Sequence, residues 1–108
     1  MTDDLDTPIL TGSQQVASCA VDATVLIKAM AHQGRMSILC HLIEGEKTVG
    51  ELEILLGQRQ AAVSQHLARL RNEGLVRARR DGKTRLYRFA DPRAAKVVAL
   101  VHELYCLR

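Results

Sequence analysis

The sequence has few aromatic residues and no long apolar run. Its 108 residues include no tryptophan, two tyrosines and one phenylalanine. No apolar stretch reaches the roughly eighteen residues of a membrane-spanning helix, and the start, with Asp3 and Asp4, lacks the basic and apolar regions of a signal peptide. A chain of this length supplies one modest apolar core. We therefore expect one cytoplasmic domain with no membrane partner.

The sequence also lacks the residue patterns that enzymes use. It shows no glycine-rich phosphate loop, no pair of acid–base carboxylates and no nucleophile with a recognisable partner base. A domain this small offers little room for a substrate pocket. The sequence therefore predicts no enzyme activity and no cofactor.

Cysteine is scarce and odd in number, with Cys19, Cys40 and Cys106. Because cytoplasmic thiols are normally kept reduced, these residues are not expected to form structural disulfides. One interpretation is that each thiol is a small buried apolar side chain. The alternatives are reactive thiols or metal ligands.

The basic residues are concentrated in one part of the chain. The net charge is +3 overall. Between Arg59 and Arg88, however, nine Lys and Arg face only two acidic residues, a segment charge of +7, and the rest of the chain carries −4. A charged surface that only keeps a protein in solution usually carries acids among its basic residues. Because acids are mostly absent here, the segment favours a polyanionic partner. The segment is not a basic amphipathic helix with aromatic anchors, so nucleic acid is favoured over a membrane.

Residues 1–13 are rich in Asp, Thr, Pro, Gly and Ser, which is typical of a flexible arm, and residues 14–108 form the predicted domain. Apolar residues at helical spacing predict a first helix from Gln15 to Ala31, and Gly34 is expected to mark the break before the second. The second helix carries Met36 through Ile43 and should end at Gly45 in a left-handed cap.

Two short helices then follow with a tight connection. Thr48 and Glu51 form a capping-box pattern that opens the third helix, which should end at Gly57. The run AAVSQHLARLRNEG predicts the fourth helix, with Gly74 just past its end. Short helices joined in this way are typical of a helix-turn-helix, whose second helix lies in the major groove. The predicted inward residues of the third helix are Val49, Leu52, Leu55 and Leu56, and those of the fourth are Val63, Leu67 and Leu70.

A basic hairpin is predicted next. Residues Leu75 to Arg79 alternate apolar and basic side chains, Asp81-Gly82 signals a tight turn, and Thr84 to Phe89 reads as the returning strand. Asp91-Pro92 should cap a last helix, whose apolar side is Val97, Val98, Val101, Leu104 and Tyr105. The predicted fold is mostly α with a small β-hairpin, a winged helix-turn-helix.

The outward arc of the fourth helix supplies the candidate DNA contacts. At about 100° per residue, Gln60, Ser64 and Gln65 point away from the apolar stripe and have the chemistry to meet base edges. His66 falls on the flank beside Leu70, where packing is the favoured role. The full set of predicted DNA-binding residues is Gln60, Ala61, Ser64, Gln65, Arg69, Arg79, Arg80, Lys83 and Arg85.

The run AAVSQHLARLRNEGLV followed by DGKTRLYRF resembles the ArsR/SmtB superfamily of bacterial winged-helix repressors. The resemblance extends from about Val16 to Arg108. It implies a homodimer joined through the first and last helices, bound to double-stranded operator DNA and released by an inducer. The metal site of the third helix in that superfamily is absent, because VGELEILLG contains no Cys or His. The site on the last helix is absent too, since Asp91 is followed by Pro92 and Arg93 and the ligand spacing fails.

Cys40 in the second helix and Cys106 near the end of the last are similar in position to the thiols of the sulfide- and persulfide-responsive branch of that superfamily. The resemblance implies an intrasubunit Cys40–Cys106 disulfide or polysulfide link, with reactive sulfur species as the inducer. Such a link would release operator DNA and derepress sulfide-oxidation genes. Cys19 lies outside the pair.

A metal-responsive alternative stays open. His102 and Cys106 are four residues apart on one helix face, and together with Cys40 they would suit Zn²⁺ or Cu⁺. No dedicated metal site is predicted otherwise.

Overall fold

The computed structural model describes residues 12–107 and confirms a mostly α fold with one β-hairpin. None of the helices in this range is long and apolar enough to cross a membrane. Most of the predicted arm lies outside the described residues, but Gly12 and Ser13 are already helical. The elements in chain order are α1 (Gly12–Met30), α2 (Gln33–Leu42), α3 (Val49–Leu56), α4 (Gln60–Asn72), β1 (Val76–Asp81), β2 (Thr84–Phe89) and α5 (Pro92–Tyr105).

The break between α1 and α2 is not at Gly34, as predicted, but two residues earlier. His32 is the N-cap of α2, and its Nδ1 accepts a hydrogen bond from the backbone N–H of Gly34 at 3.0 Å. A side-chain acceptor at the N-cap satisfies a backbone N–H that the first helical turn leaves without a partner. Gly34 therefore lies inside the first turn of α2.

The two ends of α3 form as the sequence predicts. Thr48 accepts a hydrogen bond from the backbone N–H of Glu51 at 3.1 Å, and the Glu51 carboxylate accepts one from the N–H of Thr48 at 2.8 Å. Gly57 closes the helix with a φ of 65°. α2 stops at the predicted turn, where Gly45 has a positive φ of 135°, but the C-cap itself is not Gly45: it is Ile43, in the right-handed conformation.

The wing, formed by β1 and β2, is an antiparallel hairpin with Gly82 and Lys83 as its two-residue loop. β2 has the predicted bounds, whereas β1 begins one residue later and extends to Asp81. A backbone bridge between Lys47 and Tyr87 attaches the segment before α3 to β2. The wing is thus anchored to the body of the domain at a second place besides its own chain ends.

The core lies between α2, α4 and α5 and is closed by the wing. Its fully buried side chains include Ile38, Leu67 and Val98. Leu52 is the buried residue of α3, whereas Leu55, predicted to point inward, is 45% exposed. α5 starts as predicted, with Asp91 accepting a hydrogen bond from the N–H of Arg93.

α1 and the end of α5 bury little within one chain. The buried residues of α1 are Ala29 and Met30 at its C-terminal end. On α5, Leu104 and Tyr105 belong to the predicted apolar side but are 61% and 65% exposed.

Candidate nucleic-acid interface and thiol cleft

The side of α4 that faces away from the core is polar and open to solvent. Val63, Leu67 and Leu70 are buried, as the helical spacing predicts. The five α4 residues predicted to contact DNA occupy the other half of the helix. Ser64 is half-buried, and the exposed ones are Gln60, Ala61, Gln65 and Arg69.

His66 packs against α2, which agrees with its predicted role. Its ring lies against that of His32, with the ring centroids 4.8 Å apart and the planes tilted by 49°. Burial lowers the pKa of His66, and the positive charges of His32 and Arg35 lower it further. A neutral ring therefore joins the start of α2 to the middle of α4.

The far end of α4 is joined to α2 by charged groups. Glu73 lies 3.6 Å from Nε of Arg69 and 3.7 Å from Nη1 of Arg35. Arg35 also donates a hydrogen bond to the Ala29 carbonyl at 2.7 Å. Because exposed ion pairs contribute little stability, the contact with Glu73 leaves Arg69 able to exchange its partner for a phosphate.

The tip of the wing carries cations without acidic partners. Arg80 and Arg85 are cross-strand neighbours, and Lys83 lies in the loop beside them. No acidic side chain within residues 12–107 pairs with any of the three. Like charges directly opposite one another destabilise a strand pair. The wing tip therefore carries positive charge that no acid within residues 12–107 offsets.

Arg79 differs from the other predicted wing contacts because an acid holds it. Its Nε and Nη2 donate to the two carboxylate oxygens of Glu46 at 2.9 Å and 2.8 Å. Nε of Arg88 lies 4.0 Å from the same carboxylate. The hydrogen bonds from Arg79 lower the pKa of Glu46. The sequence places Arg79 among the DNA contacts, whereas its guanidinium is already paired in the structure.

Cys40 and Cys106 line one open cleft of about 430 Å³ between α2 and the end of α5. Cys40 is half-buried and Cys106, the C-cap of α5, is exposed. Burial raises the pKa of the Cys40 thiol, and the negative charge of Cys106 raises it further. The two thiols that the sequence singled out therefore line the same cleft, close enough for the charge of Cys106 to raise the pKa of Cys40. We call this site the thiol cleft.

The third cysteine is elsewhere. Cys19 is exposed on α1, where it lines a shallow surface with other α1 residues such as Val16 and Ala23. His102 does line the thiol cleft. Yet no three His, Cys, Asp or Glu side chains of the described part of the chain are grouped so that they could hold a metal ion. The set of Cys40, His102 and Cys106 is thus not arranged as a metal centre.

Known proteins resemble this chain over most of its length. Residues 32–78 match the model for bacterial regulatory proteins of the arsR family. The transcriptional activator HlyU of Vibrio cholerae is 42% identical over 93 residues, which is 86% of each chain. This chain belongs to the ArsR family.

Other known proteins are similar to this ArsR-family protein in sequence or in structure. The biofilm growth-associated repressor of Agrobacterium fabrum is 39% identical over 87 residues, 81% of this chain and 74% of that protein. The structure of reduced HlyU from Vibrio cholerae superimposes with a TM-score of 0.81, covering 86% of this chain and 98% of that one.

The homodimeric winged helix-turn-helix DNA-binding domain of Mb0332 from Mycobacterium bovis, 30% identical, gives a TM-score of 0.70 and covers 91% and 89% of the two chains. The winged helix-turn-helix prediction is confirmed, and the family is one of transcriptional regulators and not of enzymes.

Two contacts of this protein were not predicted from its sequence. Glu46 lies in a short acidic turn, and no local pattern indicates that it reaches Arg79, 33 residues away. The contact between Gly34 and His66 is equally remote along the chain. A glycine inside the first turn of α2, where alanine would be the better helix former, is the one signal that hinted at a close approach.

Proposed function

We propose that this protein is a cytoplasmic, homodimeric repressor that binds double-stranded operator DNA and is released from it by reactive sulfur species. The reading helix is α4, with Gln60, Ser64 and Gln65 at base edges and the tip of the wing on phosphates. Support comes from the exposed polar side of α4 and from the unpaired cations at the wing tip. Phosphate contacts orient a protein on the duplex, and base-edge contacts supply specificity.

The proposed dimer uses the surfaces of α1 and α5 that one chain leaves uncovered. Val16, Val25 and Ile27 on α1 are more than half exposed, as are Leu100 and Leu104 on α5. Apolar side chains grouped on two helices are typical of a surface that a second protein covers. A two-fold dimer would present two copies of α4, which must lie about 34 Å apart to meet successive major grooves.

The thiol cleft carries the proposal of a sulfur switch. Cys40 and Cys106 face one cleft from two different helices, and the negative charge of one raises the pKa of the other. A link between them would join α2, which packs on α4, to α5, which the proposed dimer needs. The separation of the two reading helices would then depend on the state of the thiols.

The chemistry needs an organic persulfide as oxidant and no other reagent. The Cys106 thiolate attacks the outer sulfur of the persulfide, forming Cys106–S–SH and releasing the organic thiol. The Cys40 thiolate then attacks the Cys106 sulfur and expels hydrosulfide, leaving a disulfide. If the Cys106 persulfide first takes the outer sulfur of a second persulfide, releasing a second organic thiol, the product is Cys106–S–S–SH. Attack of Cys40 on its middle sulfur then expels hydrosulfide and leaves a trisulfide bridge. Cellular thiols reverse the link by the same exchange.

The test combines intact mass spectrometry with DNA binding. Reduced protein is treated separately with an organic persulfide, a disulfide, peroxide and Zn²⁺, and each sample is titrated with a duplex that the reduced protein selected from a random library. We expect a persulfide-dependent mass change, together with loss of binding, in wild type and in the matched control Cys19→Ser. Cys40→Ser and Cys106→Ser should keep binding after treatment.

Release of DNA by persulfide in both single variants would overturn the sulfur switch. Stoichiometric Zn²⁺ retention that is lost on His102→Ala would favour the metal-responsive alternative instead.

A further inference from the structure

The segment between α2 and α3 is attached to the wing by backbone and side-chain contacts. The N–H of Lys47 donates to the carbonyl of Tyr87 at 3.1 Å, and the N–H of Tyr87 donates back at 2.8 Å. Next to this bridge, half-buried Glu46 accepts the two-pronged hydrogen bond from Arg79. A carboxylate held by a guanidinium through two parallel bonds has a defined orientation as well as a charge.

The wing divides its cations between two faces. Cross-strand partners lie on the same face, and successive residues alternate. Arg79 and Arg88 therefore share one face, on which Glu46 lies, whereas Arg80 and Arg85 share the other. Glu46 thus contacts arginines on one face of the wing, whereas Arg80 and Arg85 on the other face have no acidic partner within the described residues.

We propose that Glu46 is a specificity-determining residue for DNA binding. It holds Arg79 through two hydrogen bonds and attracts Arg88 at 4.0 Å, so that the wing stays fixed against the domain and the Arg79 guanidinium is kept from the phosphate backbone. The proposal rests on the DNA binding proposed above and not on the sulfur switch. Cations that reach phosphates raise the affinity for every sequence alike. By occupying Arg79, Glu46 lowers non-specific binding and leaves the base contacts of α4 unchanged.

The experiment compares Glu46→Gln with wild type on the library-selected duplex and on a scrambled duplex of equal length, over a range of salt concentrations. The amide keeps the size of the side chain and removes its charge. We expect the slope of log affinity against log salt to steepen by about 0.9 for each guanidinium that reaches a phosphate. Affinity for the scrambled duplex should rise severalfold, and the ratio of selected to scrambled affinity should fall.

Glu44→Gln is the matched control. Glu44 lies two residues from Glu46, and its replacement by Gln removes the same negative charge. Its partner, however, is Lys47, at 3.8 Å, and not an arginine of the wing. We expect this variant to keep the wild-type slope and ratio. An equal change in both variants would mean that net charge alone acts, and the role of Glu46 would be refuted.

Arg79→Gln, made in the wild-type protein and in the Glu46→Gln variant, tests whether Glu46 acts through Arg79. In wild type it should leave the salt slope nearly unchanged, and in Glu46→Gln it should remove part of the added slope. If Arg79→Gln alone lowers the slope as much as Arg80→Ala, Arg79 already contacts DNA and the proposal is wrong. If no variant, wild type included, binds any duplex at low salt, DNA binding itself fails. Binding with an unchanged slope in Glu46→Gln refutes only the inference.

Discussion

Gly34 of α2 and His66 of α4 approach so closely that residue 34 has no room for a side chain. A Cβ built on Gly34 would lie 2.5 Å from Nε2 of His66 and 2.9 Å from its Cδ2. The His66 ring lies against His32 as well, so movement away from residue 34 is restricted. The position of the reading helix relative to α2 therefore depends on a glycine.

We expect Gly34→Ala to destabilise the protein and to weaken DNA binding. An added methyl group forces the His66 ring or the helix that carries it to shift, and overpacking of this kind costs about 1–3 kcal/mol. Urea unfolding and titration with the library-selected duplex measure the two effects. Gly50→Ala is the control, because its nearest neighbour, Oγ1 of Thr48, would be 3.8 Å from the new Cβ. Equal stability of the two variants would contradict the close approach.

The half-buried ring of His66 makes stability depend on pH. Because burial lowers its pKa from an ordinary value of about 6.5, the unfolded chain binds more protons than the folded one below that pH. The free energy of unfolding should therefore decrease as the pH falls below about 6.5, until the folded-state pKa is passed. Urea unfolding from pH 7.5 to 5 at fixed protein concentration measures this. We expect His66→Gln to show a shallower dependence, and an unchanged one would rule out His66 as the source.

Local chemistry in the sequence determined much of the fold. The Thr48–Glu51 capping box and the Asp91-Pro92 start of α5 involve residues at most three positions apart, and both appear in the structure as predicted. The alternation of apolar and basic side chains around Arg77 predicted the first strand of the hairpin in the same way. Such signals act within one turn or one strand pair, so they can be read without knowing the tertiary structure.

Contacts between distant segments could not be predicted in this way. Glu46 and Arg79 meet because Lys47 bridges to Tyr87, a tertiary contact with no local pattern. Leu55 fits the apolar pattern of α3 but is exposed, because an eight-residue helix can turn only a narrow stripe toward the core. The placing of Cys40 and Cys106 in one cleft was expected from resemblance and not from spacing, and it too depends on how α2 and α5 pack.

Gln65→Ala should relax the sequence preference of DNA binding. Gln65 is exposed on the outer side of α4, where its amide can pair with an adenine edge through two hydrogen bonds. Losing such a pair costs about 1–3 kcal/mol of discrimination against the wrong base. Competition with duplexes substituted at single positions measures the loss. If preference is unchanged at every position, Gln65 does not contact a base.

Arg80→Ala should weaken binding to all sequences alike. Arg80 lies at the wing tip opposite Arg85 and has no acidic partner within the described residues, so phosphate is the expected contact. The salt slope should decrease by about 0.9 per subunit. Arg93→Gln, which removes an arginine that is paired with Asp91 at the start of α5, should leave the slope unchanged. Equal slopes for Arg80→Ala and wild type would exclude the wing tip from the interface.

Cys106 should react with electrophiles before Cys40. The thiolate is the reactive form of cysteine. Cys106 is exposed at the end of α5, whereas Cys40 is half-buried and its pKa is raised, so less of it is ionised at neutral pH. In a Cys19→Ser background, which leaves these two thiols, timed iodoacetamide labelling with peptide mass spectrometry at pH 7 should find the first adduct on Cys106.

Cys106→Ser removes the charge that helps raise the pKa of Cys40, so Cys40 should label somewhat faster in that variant, yet still more slowly than Cys106. If Cys40 is labelled first, Cys40 is the attacking thiol and Cys106 the resolving one, and the order of steps proposed for the sulfur switch is reversed.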